Sequence, residues 1–352
     1  MNNIFVTLEH ETPGSPFAYN WITMMAPMPA ECTLPMSFEP RYFLFVLPLL
    51  LVIAVAEAVL YRWLGKRPFA WGEAGISLGI IAGQFLKNLI TRGLVAGIYL
   101  WLWQFRLFTV PLDQWWGIAL LAIGFEFFYY WEHRLSHEIR WFWATHVVHH
   151  TPNHLNFLAA LRLGWTAELS GLALFFTPLV ILGFHPLAVL AALFVNLIYQ
   201  FWLHSEWFPR LGVLEYVLNT PSNHRVHHAA NPEYLDRNFG GMIILFDRLF
   251  GTYVAERDDI KPRYGLVTPL KTRNPIKIAL HEWAALLSDV AHARNWREAW
   301  MYMFGAPGWR PDGSGMTSES LRRSLDQATQ PDVQTSKPYN SPATPLRTGA
   351  AK

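Results

Sequence analysis

Cysteine is nearly absent: Cys32 is the only one in 352 residues. A lone thiol excludes an intramolecular disulfide, a cysteine-ligated iron–sulfur cluster and a cysteine-rich zinc site, so any metal must be held by nitrogen or oxygen. Charge is scarce as well. Asp, Glu, Lys and Arg supply 15% of the chain, against about a quarter in soluble domains. The formal net charge is only +2, and no basic stripe interleaves with aromatics, so no nucleic-acid partner is expected. There is no GxGxxG turn after a strand pattern and no Walker loop, hence no nicotinamide, flavin or nucleotide site of the chain's own. The N-terminal MNNIFVTLEHETPGS has neither a basic n-region nor an apolar h-region and is not expected to be a cleaved signal peptide.

What is there is apolar. Hydrophobic residues make up 52% of the chain, with 17 Trp, and they fall in runs of membrane-crossing length. The expected fold is an all-α integral membrane protein with about five spans and a cytosolic helical cap. Residues 1–40 read as a polar, Pro-rich segment, 41–310 as one membrane-embedded domain, and 311–352 as a disordered tail rich in Ser, Thr, Pro and Gly. The first span, 42–64, ends in Arg62, Lys66 and Arg67, which places that end in the cytoplasm. Residues 74–105 are interrupted by Lys87, Asn88 and Arg92 and read as an interfacial or re-entrant piece before a span over 94–108. Further spans are expected over 113–131, 166–184 and 186–203, the last two joined by a turn at Gly183, His185 and Pro186. Residues 275–305 carry helical apolar spacing and read as a helix lying on the membrane or the cap. With the N-terminus outside, five crossings put 132–165 and 204–352 on the cytosolic side.

Those two segments hold the histidines. Of 14 His, nine fall in four groups: His133 and His137; His146, His149 and His150; His204; and His224, His227 and His228. Spacings of i, i+3 and i+4 put each group on one helix face. Imidazole is the commonest metal ligand near neutral pH, and so many rings gathered without metal would seek polar partners. Nine ligands exceed what one tetrahedral zinc takes, so two metal ions are expected. Glu126 lies seven residues before His133 on the same face and is a candidate to orient a ligand imidazole. Glu132, Glu138 and Asp236 are further candidates, with a solvated charge or a salt bridge to a nearby Arg the better reading of Glu132. Glu57, inside the first span, could equally pair with a neighbouring helix. His10, His154, His185, His281 and His292 read as structural or surface residues.

The segments YYWEHRLSHE, FWATHVVHHTPNHLNFLAALR, YQFWLHSEW, LGVLEYVLNTPSNHRVHHAANPEYLDRNFGG, FDRLFGTY and GAPGWRP, spread over residues 113–310, resemble the fatty acid hydroxylase/sterol desaturase superfamily. The nearest resemblance is to the alkylglycerol monooxygenase family. It implies two iron ions held in a cytosolic cap by His133, His137, His146, His149, His150, His204, His224, His227 and His228. Glu138, directly after the second histidine, matches an acidic position linked with activity. The chain departs from some members at Phe208, where they carry a further histidine, so water or Asn223 would complete one iron's shell. Animal members use tetrahydrobiopterin; here no local motif marks a pterin site, and electrons are expected from tetrahydrobiopterin or another external donor, a small reductant or an electron-transfer protein.

The reaction the resemblance implies is O2-dependent hydroxylation of a membrane lipid. The ether O–CH2 carbon of an alkylglycerol lies near headgroup depth, and its hydroxylation would release fatty aldehyde. Trp131, Tyr199, Phe201 and Trp202 could line a lipid tunnel, although such rings at membrane depth more often pack or anchor. Sterol, carotenoid or fatty acid hydroxylases and desaturases are the alternative within the superfamily. A metal transporter would place its ionisable groups at mid-membrane, and a zinc hydrolase is the remaining alternative.

Overall fold

The computed structural model describes residues 42–64, 69–91 and 93–329. The expectations for residues 1–40, for His10, for the basic residues Lys66, Arg67 and Arg92, and for 330–352 fall outside the described residues. The helices are α1 (Tyr42–Trp63), α2 (Trp71–Thr91), α3 (Leu94–Trp103), α4 (Trp115–Glu138) and α5 (Arg140–His150). Short turns follow as α6 (Phe157–Ala160), α7 (Ala167–Ser170) and α8 (Thr177–Leu182), then α9 (Pro186–Leu203), α10 (Pro221–His227) and α11 (Leu245–Leu249). The last three are α12 (Pro275–Ala291), α13 (Trp296–Phe304) and α14 (Ser318–Thr329). Among the described residues extended pairing is confined to two isolated bridges, Leu218 with Ile243 and Ala229 with Tyr264.

α1 is apolar on its outside and small on its inside. Phe45, Val52, Val55, Val59 and Trp63 are exposed, while Ala54 and Ala58 are buried. A water-soluble helix shows the reverse; large residues outward and small residues at the helix contact suit lipid. α2 repeats the pattern, with Leu78, Phe85, Leu89 and Ile90 outward and Ala74, Ser77 and Ile80 inward. Among the described residues three helices are long and apolar enough to cross a bilayer: Phe45–Trp63, Trp71–Thr91 and Pro186–Leu203.

Two sequence expectations change here. The segment after residue 71 is one continuous helix of 21 residues, not a re-entrant piece. Lys87, read as an interruption, is neutralised by Glu168 at 2.5 Å. The chain then turns at Gly93, whose φ is 95°, and α3 has only 10 residues. At 1.5 Å per residue that is about half a hydrocarbon core. Residues 166–184 form no single helix either. Gly171, with φ 86°, ends α7, and a 3-10 turn over Leu172–Phe176 leads into α8.

α4 changes character along its length. Trp115, Ile118 and Ile123 face outward near its start, whereas Tyr129, His133 and His137 are buried near its end. Over 275–305 there are two helices, with Asn295 capping α13 by accepting from Glu298 N–H. α12 packs on α5, and Arg140 fastens them through Glu282 and Asp289, both at 2.7 Å. α14 stands where composition led to an expectation of disorder from 311; Arg322 anchors it by donating to the Leu235 carbonyl at 2.8 Å.

Gly164 is required by close approach: a Cβ there would lie 2.1 Å from the Thr145 carbonyl oxygen. Gly75, on α2, has nothing within 4 Å of the same position. Gly164→Ala is therefore expected to destabilise by about 1–3 kcal/mol, the usual range for overpacking, and Gly75→Ala to be neutral or slightly stabilising. Thermal unfolding of both variants in detergent checks this; equal midpoints would contradict the packing assignment.

Candidate metal centre

Four elements bring the nine histidines together. Ile139 alone joins α4 to α5, as an extended residue with φ −117° and ψ 120°, so the two helices fold back at an elbow with His133 and His137 facing α5. His204 caps the end of α9. α10 starts at Pro221, with Thr220 accepting from Asn223 N–H, and His228 closes it.

The rings divide into two groups. His133, His137, His146, His150 and His227 form one, and His149, His204, His224 and His228 the other; in each, one ring nitrogen per residue lies within 4.8 Å of all the others. Each HxxHH segment is shared. α5 gives His146 and His150 to the first group and His149 to the second. α10 gives His224 and His228 to the second and His227 to the first. The groups touch where the His150 and His228 rings stack with centroids 4.4 Å apart.

The outward nitrogens are held. His133 Nδ1 lies 2.8 Å from the Phe239 carbonyl, His227 Nδ1 3.0 Å from that of Arg237, and His137 Nδ1 3.3 Å from the Asp236 carboxylate. In the second group, His204 Nδ1 lies 2.8 Å from the Gln200 carbonyl and His149 Nδ1 3.3 Å from that of Arg162. A neutral imidazole has one N–H, and donating it outward leaves Nε2 a bare lone pair. Yet His149 Nε2 and His204 Nε2 face each other at 3.1 Å, and His137 Nε2 and His227 Nε2 are buried with no hydrogen-bond partner. Lone pairs pointed at one another require a cation between them. The donor set therefore fits metal: five nitrogens at one centre and four at the other.

Protonation is a poor substitute for that cation. Burial, reinforced by the surrounding imidazoles, holds His133, His146, His150, His204, His224, His227 and His228 well below the ordinary histidine range. Burial lowers His149 to about 4, although its bond to the Arg162 carbonyl works the other way.

One loop supplies the outer partners of the first group. Asp236 and Asn238 have φ of 51° and 57°, unusual for residues other than glycine. Asn238 is pinned by donating to the Asn223 and Val254 carbonyls at 3.0 and 2.7 Å. Asp247 accepts from Phe239 N–H and Gly240 N–H at 2.8 and 2.7 Å and from Thr252 Oγ1 at 2.6 Å. These bonds aim the Arg237 and Phe239 carbonyls and the Asp236 carboxylate at three rings. Spacing did not reveal Asp247 or Arg162; the only local hint of the loop is the polar run Asp236–Arg237–Asn238 before two glycines.

The acidic candidates are placed as follows. Glu126 does not reach His133. It accepts from Asn196 at 2.6 Å and from Met242 and Ile243 N–H at 2.9 and 3.1 Å, tying α4, α9 and the loop after Gly241 together. Glu138 pairs with Arg134 at 2.8 Å. Glu132 accepts, at 3.5 Å, from the Ser136 hydroxyl. Glu57 accepts from Phe157 N–H at 2.8 Å. Asp236 is the carboxylate that touches a clustered ring. Asn223 is fully buried and its Oδ1 has no partner, while Phe208 packs edge-on against Trp202. Outside the clusters, His185 caps α9 and His292 ends α12.

A cavity of about 460 Å³ opens onto the rings, bounded by His137, His150, His227 and His228 on one side and by Leu235, Leu266, Met316 and Leu321 on the other. His281, read as a structural or surface residue, also lines it.

Paired histidine groups at the ends of membrane-length helices define a class. Residues 118–252 match the family model described as Fatty acid hydroxylase. The chain is 33% identical over 313 residues to alkylglycerol monooxygenase of Homo sapiens, covering 87% of this chain and 67% of that protein. It is 32% identical over 300 residues to the same enzyme of Xenopus tropicalis, covering 85% of this chain and 63% of that one. An ornithine lipid hydroxylase of Rhizobium tropici is 31% identical over 149 residues, 40% of this chain and 44% of the relative. The chain belongs to the alkylglycerol monooxygenase family. It spans about two thirds of the length of the human relative and half that of the Danio rerio one. No solved structure matches it.

Two outcomes are expected. His149→Ala and His227→Ala each remove a ligand from one group, so each should lower bound metal from about two ions per chain toward one; Asp236→Asn should weaken binding at the first group about 10–100-fold. Elemental analysis after gel filtration reads this, and unchanged metal in all three would contradict the grouping. The second outcome concerns the metal-free protein. Its buried rings have lowered pKa values, so the unfolded chain binds more protons than the folded one below the ordinary histidine value of 6.5. Stability should therefore be complete above that value and fall as pH drops toward about 4, where His149 itself titrates. A midpoint that rose on acidification would contradict the neutral assignment.

Proposed function

We propose that this chain is a membrane di-iron monooxygenase that hydroxylates the ether-linked carbon of alkylglycerols. The observation that carries the reading is the pair of buried imidazole groups sharing α5 and α10 in a chain of this family. Five and four nitrogen donors suit two iron ions better than a four-coordinate zinc. His133, His137, His146, His150 and His227 would hold one iron, and His149, His204, His224 and His228 the other.

When bound, the irons supply O2 reduction and the oxidising power that breaks an unactivated C–H bond. The residues do the positioning. Carbonyls of Phe239, Arg237, Gln200 and Arg162 fix the ring orientations, and Asp236 supports the basicity of His137. The cavity beside His137, His150, His227 and His228 would admit a substrate carbon, with Leu235, Leu266 and Leu321 supplying an apolar part of its wall. Glu138 pairs with Arg134 one turn back in the last turn of α4, and Glu126 fixes α4 to α9.

In the proposed reaction, one O2, two electrons and two protons convert the O–CH2 carbon to O–CH(OH) and release one water. The hemiacetal then breaks its C–O bond to give fatty aldehyde and glycerol. The electrons come from outside the chain, from tetrahydrobiopterin or another donor. α4 and α9 end at the histidine groups, and α2 begins beside them, where Glu73 meets Arg162. Arg62 in the last turn of α1 supports a cytosolic position for that face.

The test is fatty aldehyde release from an alkylglycerol by purified protein, with and without tetrahydropterin, beside sterol and fatty acid substrates. Turnover on the alkylglycerol is expected, with about two irons per chain and a loss of at least about 100-fold in His149→Ala and His227→Ala. Turnover on a sterol or fatty acid alone would overturn the substrate assignment, and activity in an iron-free preparation would overturn the chemistry.

A further inference from the structure

A second cavity lies apart from the histidine rings, at the start of α2. It measures about 560 Å³ and is bounded by Gly72 and Glu73, by Asn153 and Arg162, and by Lys271 and Arg273. Its charge is unbalanced: Arg162, Lys271 and Arg273 are set against Glu73 alone. Both Glu73 oxygens are already committed, one to Arg162 at 2.8 Å and the other to Asn153 Nδ2 at 2.8 Å. Among the described residues neither Lys271 nor Arg273 has an acidic partner within salt-bridge distance.

Arg273 is also placed against its own kind of field. Its guanidinium carbon is 3.9 Å from where a Gly72 Cβ would be, at the N-terminal turn of a 21-residue helix. That turn presents free N–H groups and a partial positive charge, which repel a cation and attract an anion. Gly72 has no side chain to cover the turn, so its backbone is open to the cavity. Lys271 and Arg273 are both exposed, and together with the helix N-terminus they put positive potential on one cavity, which an anion would complement.

The depth selects the anion. α2 is one of the helices long enough to cross a bilayer, so its first turn lies at the membrane surface. There Phe69 and the exposed Trp71 pack edge to face, with centroids 4.9 Å apart, as interfacial aromatics do. The anion available in quantity at that depth is phosphate on a lipid headgroup, for which Arg and Lys are the usual partners.

We propose that the cavity formed by the start of α2, Asn153 and the 271–273 segment binds the phosphate of an anionic membrane lipid. The site is separate from the metal groups and does not depend on the reaction they catalyse. It adjoins them through Arg162, which lines the cavity and whose carbonyl orients His149, through Thr151 next to His150, and through Leu266, which also lines the cavity beside the rings.

The test measures binding of fluorescent phosphatidic acid to the purified, metal-loaded chain in dodecyl maltoside, with phosphatidylcholine and inorganic phosphate as competitors. The double variant Lys271→Gln/Arg273→Gln is compared with Arg294→Gln/Arg297→Gln, which removes the same charge around the start of α13. Saturable binding is expected, weakened at least 10-fold in the first variant and less than 2-fold in the second. Bound metal and the thermal midpoint should be unchanged in both. Phosphatidylcholine should compete poorly and inorganic phosphate only weakly. Displacement by micromolar inorganic phosphate would overturn the lipid assignment in favour of the free anion. Equal weakening in both variants, or none in the first, would overturn the site.

Discussion

Everything near the histidines depends on one constraint: imidazole lone pairs held face to face at buried positions. His149 and His204 commit their N–H groups to carbonyls of Arg162 and Gln200, and the remaining nitrogens meet at 3.1 Å. Such an arrangement is repulsive by itself and becomes cohesive with a cation at its centre. With the metal ions proposed above, uptake and the final packing of α5, α9 and α10 would be one event, because ligands drawn from separate helices gain their binding energy only when the helices have met.

The support of the two groups is unequal in kind. The second is braced by carbonyls at Gln200 on a membrane-length helix and at Arg162, which is itself fixed by Glu73, Ser77 and Thr151. The first depends on the 236–240 loop, whose two left-handed residues, Asp236 and Asn238, are of the types that adopt that region most readily, with Asp247 and the Asn238 side chain holding the surrounding amides. Strain of that sort costs on the order of 1–3 kcal/mol per residue. The loop returns it as orientation, aiming two carbonyls and a carboxylate from one short stretch.

How much of this was legible follows from the range of each interaction. The i, i+4 pairs of α4, α5 and α10 could be read because helical periodicity is local. The division of His149 from His150 and of His227 from His228 follows from the roughly 100° between successive helical residues, but which group each joins depends on how the helices cross. Glu126 shared a helix face with His133, yet its partners are Asn196 and two amides 116 and 117 residues further on. Lys87 looked like a break in an apolar run because Glu168, 81 residues away, could not be seen beside it. Residues 166–184 looked like one span because hydropathy does not register the left-handed turn at Gly171. Asp247 lay in the family-like segment FDRLFGTY, but nothing in its spacing pointed to the 236–240 loop.

The elbow at Ile139 has a mechanical consequence. With a single residue between α4 and α5, the chain has two dihedral angles through which one helix can move against the other. His133 and His137 are therefore nearly rigid relative to His146, His149 and His150, and five of the nine rings behave as a preformed jaw. The other four arrive from α9 and α10, so breathing of the centre would open the seam between that jaw and His204, His224, His227 and His228. Exchange of metal should follow the opening of this seam rather than the unfolding of α4 or α5.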